Sequence, residues 1–192
     1  MASVPRRLIL LEKSFAHICW QFHNKDFLFE DNEDKLVYLA LIKKHKKSYP
    51  IKLFDLCLMS NHGHLLIYAD KQQDISDFFR SVHSAYANYY NNTHGRRGQV
   101  FLDRFKSIRV KEGSDILRVM RYIQLNPVKA GIVKHPKHYA WSAYRHYMLG
   151  HQSPIIDDAK EFLALGKTKE ERRRAFQSLL CGYLDDTYDP FK

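Results

Sequence analysis

Residues 51–68 read IKLFDLCLMSNHGHLLIY. Ile51 to Met59 has a strand pattern and His62 to Tyr68 a second one, with only Ser60-Asn61 between them as a tight connection. Working outward, Asp31-Asn32-Glu33-Asp34 offers a cap and early acids, and an apolar run follows from Leu36 to Ile42. Lys43, Lys44, Lys46 and Lys47 then collect before Pro50, so acids first and cations last match a helix dipole. On the other side, Asp74–Asn92 places Ile75, Phe78, Phe79, Val82, Ala85, Tyr86, Tyr89 and Tyr90 at helical spacing. Outer strands are expected over Leu8–Phe22 and Gln99–Lys111. The order strand, helix, strand, strand, helix, strand predicts an α+β fold, a ferredoxin-like βαββαβ palm with an antiparallel sheet and both helices on one face. A further helix opens at Gly113-Ser114 and ends near Asn126-Pro127. Beyond Trp141 the pattern is helical, over Ser142–Leu149 and then in two helices parted near Gly166-Lys167-Thr168. Residues 1–150 are expected to form one domain and residues 151–192 a helical C-terminal extension, with no internal repeat or low-complexity segment.

The 192 residues carry 31 Lys and Arg against 21 Asp and Glu, a net charge of +10. The excess is local: residues 1–150 carry +11 and residues 151–192 carry −1. Between Arg96 and Lys134 ten basic residues face only Asp103, Glu112 and Asp115. This clustering suits a phosphate-binding face better than a uniformly solvated surface, and Arg104, Lys106 and Arg109 are spaced along the Gln99–Lys111 strand to contact phosphates. Generic surface charge is the competing reading. Hydrophobic residues at 45% and aromatics at 14% are enough for a real core and exclude wholesale disorder. No stretch approaches the roughly 18 apolar residues of a membrane span, so no membrane partner is expected. Leu8–Leu11 is too short for a secretory core and meets Glu12-Lys13 at once. Cys19, Cys57 and Cys181 are odd in number and far apart, which suits a reduced, cytoplasmic setting.

Two features carry chemistry. Alternation along the second strand puts His62 and His64 on one face with Gly63 on the other, and two such imidazoles can share a divalent metal ion, although with 11 histidines in the chain a His-x-His pair also arises by chance. On the helix after Ser114, Ile116, Met120 and Ile123 form a core stripe at about 100° per residue, while Tyr122 and Asn126 project together from a flank. A side-chain amide can coordinate a hard cation and a phenol beside it can act as a nucleophile. An interface aromatic followed by a cap before Pro127 fits the same spacing, which does not decide between the two.

Four segments occur in order: Met59-Ser60-Asn61-His62-Gly63-His64-Leu65-Leu66, the run Gly98–Ser107, the run Arg121–Gly131, and Trp141-Ser142-Ala143-Tyr144-Arg145. Together they resemble the REP-associated tyrosine transposases, a branch of the single-tyrosine HUH-type transposases, over about Phe15 to Arg145. The resemblance implies the ferredoxin-like HUH palm, here an HUH-type transposase/endonuclease domain within residues 1–150. It also implies His62 and His64 as paired metal ligands and Tyr122 as the nucleophile. Asn126 takes the place of a polar third ligand that is Gln in related insertion-sequence transposases. Ser60 replaces a usual Pro, which changes only the turn. Gly63 replaces a usual apolar residue and is expected to loosen local packing. The turn at Gln21-Phe22-His23-Asn24 departs from the family's Arg- and Asn-rich pattern.

The implied activity is metal-dependent cleavage and rejoining of single-stranded DNA beside REP-type hairpins, with Mg2+ or Mn2+ as cofactor. Tyr122 would form a 5′-phosphotyrosine and free a 3′-OH. The implied partners are single-stranded DNA and DNA hairpins, with the protein a monomer or homodimer. Two rival readings keep the same residues: a non-cleaving, sequence-specific DNA-hairpin-binding protein, and a metal-dependent hydrolase using His62, His64 and a water.

Overall fold

A computed structural model of the protein describes residues 14–29 and 31–182, so the start of the first expected strand lies outside the described residues. Strand β1 (Ser14–Gln21) leads to helix α1 (Asn32–Lys46), the hairpin of β2 (Ile51–Leu58) and β3 (His62–Ala69), helix α2 (Gln72–Thr93) and strand β4 (Lys106–Val110). Helix α3 (Ser114–Lys129) follows, and then α4 (Tyr144–Met148), α5 (Lys160–Leu163) and α6 (Lys169–Cys181). The sheet order is β2-β3-β1-β4 with every neighbouring pair antiparallel. That is the expected ferredoxin-like palm. Asp31 caps α1 by accepting from the Glu33 amide at 2.8 Å, and Met59 N–H donates to the His62 carbonyl at 2.8 Å to close the hairpin.

Two boundaries differ from the sequence pattern. The last palm strand begins at Lys106 rather than Gln99. Residues 100–102 instead bond sideways to the exit of β1, with His23 N–H on the Val100 carbonyl and Leu102 N–H on the Gln21 carbonyl. Gly98 at φ 99° turns the chain into this detour, and Asp103 accepts from the Arg104 amide at 2.6 Å to turn it back. Helix α3 runs through Pro127 to Lys129, because in the last turn the proline forfeits a single backbone bond and its ring is buried.

The face of the sheet toward α1 and α2 is an aromatic core. Trp20 on β1 is 2% exposed and packs within 5.0–5.6 Å, ring to ring, of Phe22, Phe29, Tyr38, His83 and Phe101. Tyr86 and Tyr90 are buried here, so they serve packing. Gly63 pairs with Trp20 across the β1–β3 ladder, and a Cβ on it would lie 2.5 Å from the indole. The expected loosening at Gly63 is therefore corrected: the indole fills the space an apolar side chain would take.

The outer edge of β2 is covered by residues 141–143. Leu58 N–H donates to the Trp141 carbonyl and Ala143 N–H to the Leu56 carbonyl, both at 2.9 Å. Tyr139 and Tyr147 hydroxyls donate to the Leu58 and Phe54 carbonyls at 2.6 Å. An edge that would otherwise template aggregation is closed. The segment after residue 150 packs on the palm: Ile155, Ile156, Phe162, Phe176 and Leu180 join the same buried core. Arg121 on α3 donates to the Leu179 and Gly182 carbonyls at 2.8 and 2.9 Å. Among the described residues no helix is long and apolar enough to cross a membrane.

Because the indole is hemmed in by five rings, Gly63→Ala is expected to lower unfolding stability by about 1–3 kcal/mol in urea titrations. Trp20→Phe combined with Gly63→Ala should cost less than the two changes summed.

Candidate active site

The opposite face of the sheet, under α3, carries the polar side chains. Alternation directs Phe15, His17 and Cys19 from β1 and His62, His64 and Leu66 from β3 to this face, and the register sets Cys19 beside His64 and Gln21 beside His62. Tyr122 descends from α3 onto them. Its ring sits edge-on to His17 and to His64, at 5.6 Å from each. The His62 and His64 rings are 5.0 Å apart and perpendicular. Three elements distant in sequence thus meet at one cluster of four rings.

One hydrogen bond sets a tautomer. His62 Nδ1 lies 2.6 Å from Asn61 Oδ1, and since a carbonyl oxygen only accepts, Nδ1 carries the hydrogen and Nε2 keeps its lone pair. His64 Nδ1 lies 3.1 Å from His17 Nε2. Either ring can donate in that contact, which ties His64 to His17. Burial pushes His17 and His62 down to about 4. His64 is held well below the ordinary histidine range, first by burial and then by the proximity of His17 and His62. All three are neutral at neutral pH, the form in which an imidazole binds a metal ion. Burial also pushes the Cys19 thiol up to about 12, against the opposing charge of Lys106, so it is no thiolate nucleophile.

Among the described residues no group of three His, Cys, Asp or Glu side chains is arranged to hold a metal ion. The candidate donors are the two imidazoles of His62 and His64, with His17 engaged with His64. Their chemistry fits a divalent cation completed by oxygen donors, and hydrogen bonding of the ring nitrogens away from such a site is the usual support of histidine ligands. Asn126 lies one turn beyond Tyr122 and donates its amide to the Tyr122 carbonyl at 2.8 Å, leaving Oδ1 as its available donor atom. The structure therefore brings His62, His64 and Tyr122 together and holds Asn126 back against its own helix.

The basic residues divide. Lys106, opposite Cys19 in the register, is exposed on the site side of β4. Arg109 pairs with Ala16 and so emerges from the other face, because an odd spacing along a strand reverses direction. Arg104 is exposed in the turn before β4. Two residues enter that spacing did not single out. His17 is a lone histidine in an apolar strand, and only the β1–β3 register puts it against His64. Lys129 holds its ammonium 5.3 Å from the centre of the Tyr122 ring, two turns along the same helix face, a spacing the sequence does display.

A family model described as "Transposase IS200 like" matches residues 11–126. Among solved structures, a REP-associated tyrosine transposase bound to a REP hairpin matches with a TM-score of 0.64 at 16% identity, covering 83% of this chain and 93% of that one. It shares the fold. A crystal structure from Deinococcus radiodurans R1, described as a candidate transposase, matches at a TM-score of 0.43 and 18% identity over 65% of this chain and 96% of that one. No curated protein matches the sequence.

The buried imidazoles set a pH dependence. The unfolded chain takes up protons on histidine below about pH 6.5, whereas folded His17 and His62 do so only near 4. Stability should therefore fall as pH drops from 6.5 toward 4. Side-chain NMR should find His17 and His62 neutral at pH 5.5; titration of either near 6.5 would contradict the buried geometry.

Proposed function

The chain belongs to the IS200-like transposase family, and on that footing we propose that it is a metal-dependent single-stranded DNA endonuclease and strand transferase acting next to REP-type hairpins through Tyr122. The observation that carries the reading is the convergence of the Tyr122 ring on His17 and His64 at 5.6 Å, with His62 alongside. A nucleophile, two neutral metal-binding imidazoles and a nearby basic strand are the parts this phosphoryl transfer needs. The hairpin-bound relative of like fold supports a DNA hairpin as partner. Residues 1–150 act as the catalytic domain and residues 151–192 as its helical extension.

His62 and His64 would hold the cation through Nε2, with Asn126 Oδ1 as the third protein donor. A bound Mg2+ or Mn2+ supplies polarisation of the phosphoryl oxygens and neutralises charge that develops on them. Two nitrogen donors favour Mn2+ of the two. Asn61 and His17 keep the ligand rings in place. Tyr122 Oη forms the new bond to phosphorus as the bond from phosphorus to the 3′ oxygen breaks. The phenolic proton is lost to solvent and the departing oxygen is protonated to a 3′-OH. The Lys129 ammonium over the ring favours negative charge on the phenol. The 5′-phosphotyrosine conserves the bond energy, so attack by another 3′-OH rejoins strands without an external energy source. Lys106 and Arg104 would hold the strand by its phosphates on the site side, and Arg109, on the other face, could reach it only where the DNA passes around the β4 edge.

The test uses labelled single strands flanking a REP-like hairpin. Wild type should form a denaturant-stable protein–DNA adduct that EDTA prevents. Tyr122→Phe should lower adduct formation by more than about a thousandfold while retaining hairpin binding. The pair of changes His62→Ala and His64→Ala should abolish the metal-dependent reaction. Full activity of Tyr122→Phe would sink the nucleophile, and cleavage in EDTA would sink the metal role. Hairpin binding without any wild-type adduct would favour the non-cleaving binder, and product without adduct the hydrolase.

A further inference from the structure

On the core flank of α3, away from Tyr122, lies one buried polar contact that the chemistry above does not use. Gln124 Nε2 donates to Asp55 Oδ2 at 2.8 Å, and both residues are 0% exposed. The other oxygen of each side chain, Asp55 Oδ1 and Gln124 Oε1, has no hydrogen-bond partner among the described residues. A carboxylate here would be a buried charge facing an unpaired acceptor, an arrangement that costs several kcal/mol. The titratable groups packed around it are Cys57 on β2 and Tyr147 on α4, and no cation is among the influences on it. The Tyr147 hydroxyl is already spent on the Phe54 and Asp157 carbonyls. Burial pushes the Asp55 carboxyl well above the ordinary carboxylate range, against the pull of the Gln124 and Leu56 hydrogen bonds. One proton on Oδ1, donated to Gln124 Oε1, would remove both deficits and close a ring of two hydrogen bonds.

We propose that Asp55 is held protonated and forms a closed acid–amide pair with Gln124 that fixes the rotation and height of α3, making both of them positioning residues for Tyr122. The inference rests on Tyr122 being the nucleophile. The other buried residues of α3 are Ile116, Val119, Met120, Ile123 and Pro127, and apolar contact alone is non-directional. A slip of one residue would turn the helix by about 100° and shift it by about 1.5 Å, carrying Tyr122 off the histidines. The acid–amide pair admits one register. It also stands close to the site: Asp55 pairs with Leu66 and Cys57 with His64, so the pin is two residues along the ladder, about 7 Å, from the level of His64.

Asp55→Asn is the decisive variant, since an amide reproduces the protonated acid's one donor and one acceptor toward Gln124. The double change Asp55→Leu with Gln124→Leu removes the pair without stranding a buried polar group, so the protein should fold. Two readouts apply: the rate of adduct formation at saturating DNA, and the 19F spectrum of 3-fluorotyrosine placed at position 122. Asp55→Asn should keep the rate within about threefold and one sharp fluorine signal. The double variant should bind hairpin DNA as before yet form adduct about 100-fold more slowly, with a shifted or divided fluorine signal. A loss in Asp55→Asn equal to that of the double variant would mean an ionised Asp55 and overturn the proposal. So would a double variant with wild-type rate and spectrum. If wild type itself forms no adduct, the nucleophile reading has failed, and the fluorine spectra together with the infrared band of a protonated carboxyl, present in wild type and absent in Asp55→Asn, still decide the pair.

Discussion

Every contact that builds the site depends on how β3 is wedged between β1 and β2, with Trp20 filling the space over Gly63 on one face while His62 and His64 are carried on the other. A strand cannot change one face without the other, because a one-residue slip would send both histidines into the aromatic core. Trp20 is the stop against that slip. Its indole fits only over a residue without a Cβ, and position 63 is the only glycine within the palm's strands. The packing face thus sets the register of the chemical face.

On the chemical face, precision comes from polar contacts as much as from burial. His17 holds His64, Asn61 holds His62, and Gln124 on α3 reaches Asp55 on β2. Each of these partners is close enough to fix a ring or a helix, and the His17–His64 and Gln124–Asp55 contacts are buried, so an alternative arrangement there would leave a buried polar group unpaired. The C-terminal helices add support from behind, since Arg121 ties α3 to the end of α6. Helix α3, which carries Tyr122, is thereby held from two sides.

The palm itself was legible in the sequence. Alternation, cap residues and helical spacing placed the order of its elements, and the pattern His62-Gly63-His64 gave the shared face of the two imidazoles. What was hidden depended on pairing across the sheet. His17 is a histidine in an apolar strand, and only the β1–β3 register sets it against His64. Gly63 reads as a packing defect in sequence, and in the fold the Trp20 indole lies over it. The Gln99–Lys111 pattern ran too long because residues 100–102 are extended but bond to the loop after β1, which alternation cannot distinguish from a ladder. The spacing of Lys106 and Arg109 suggested a common role, yet an odd separation puts them on opposite faces. Charge was local in sequence and is less so in space.

The claim on which the rest stands is that Tyr122, out of 12 tyrosines, is the residue that takes the DNA. The direct measurement is to trap wild-type protein on a single strand flanking a REP-like hairpin, digest the adduct, and locate the modified peptide by mass spectrometry. The expected result is a nucleotide carried through its 5′ phosphate on Tyr122 and on no other residue. An adduct mapped to a different tyrosine, or cleavage that leaves Tyr122 unmodified throughout the reaction, would contradict it.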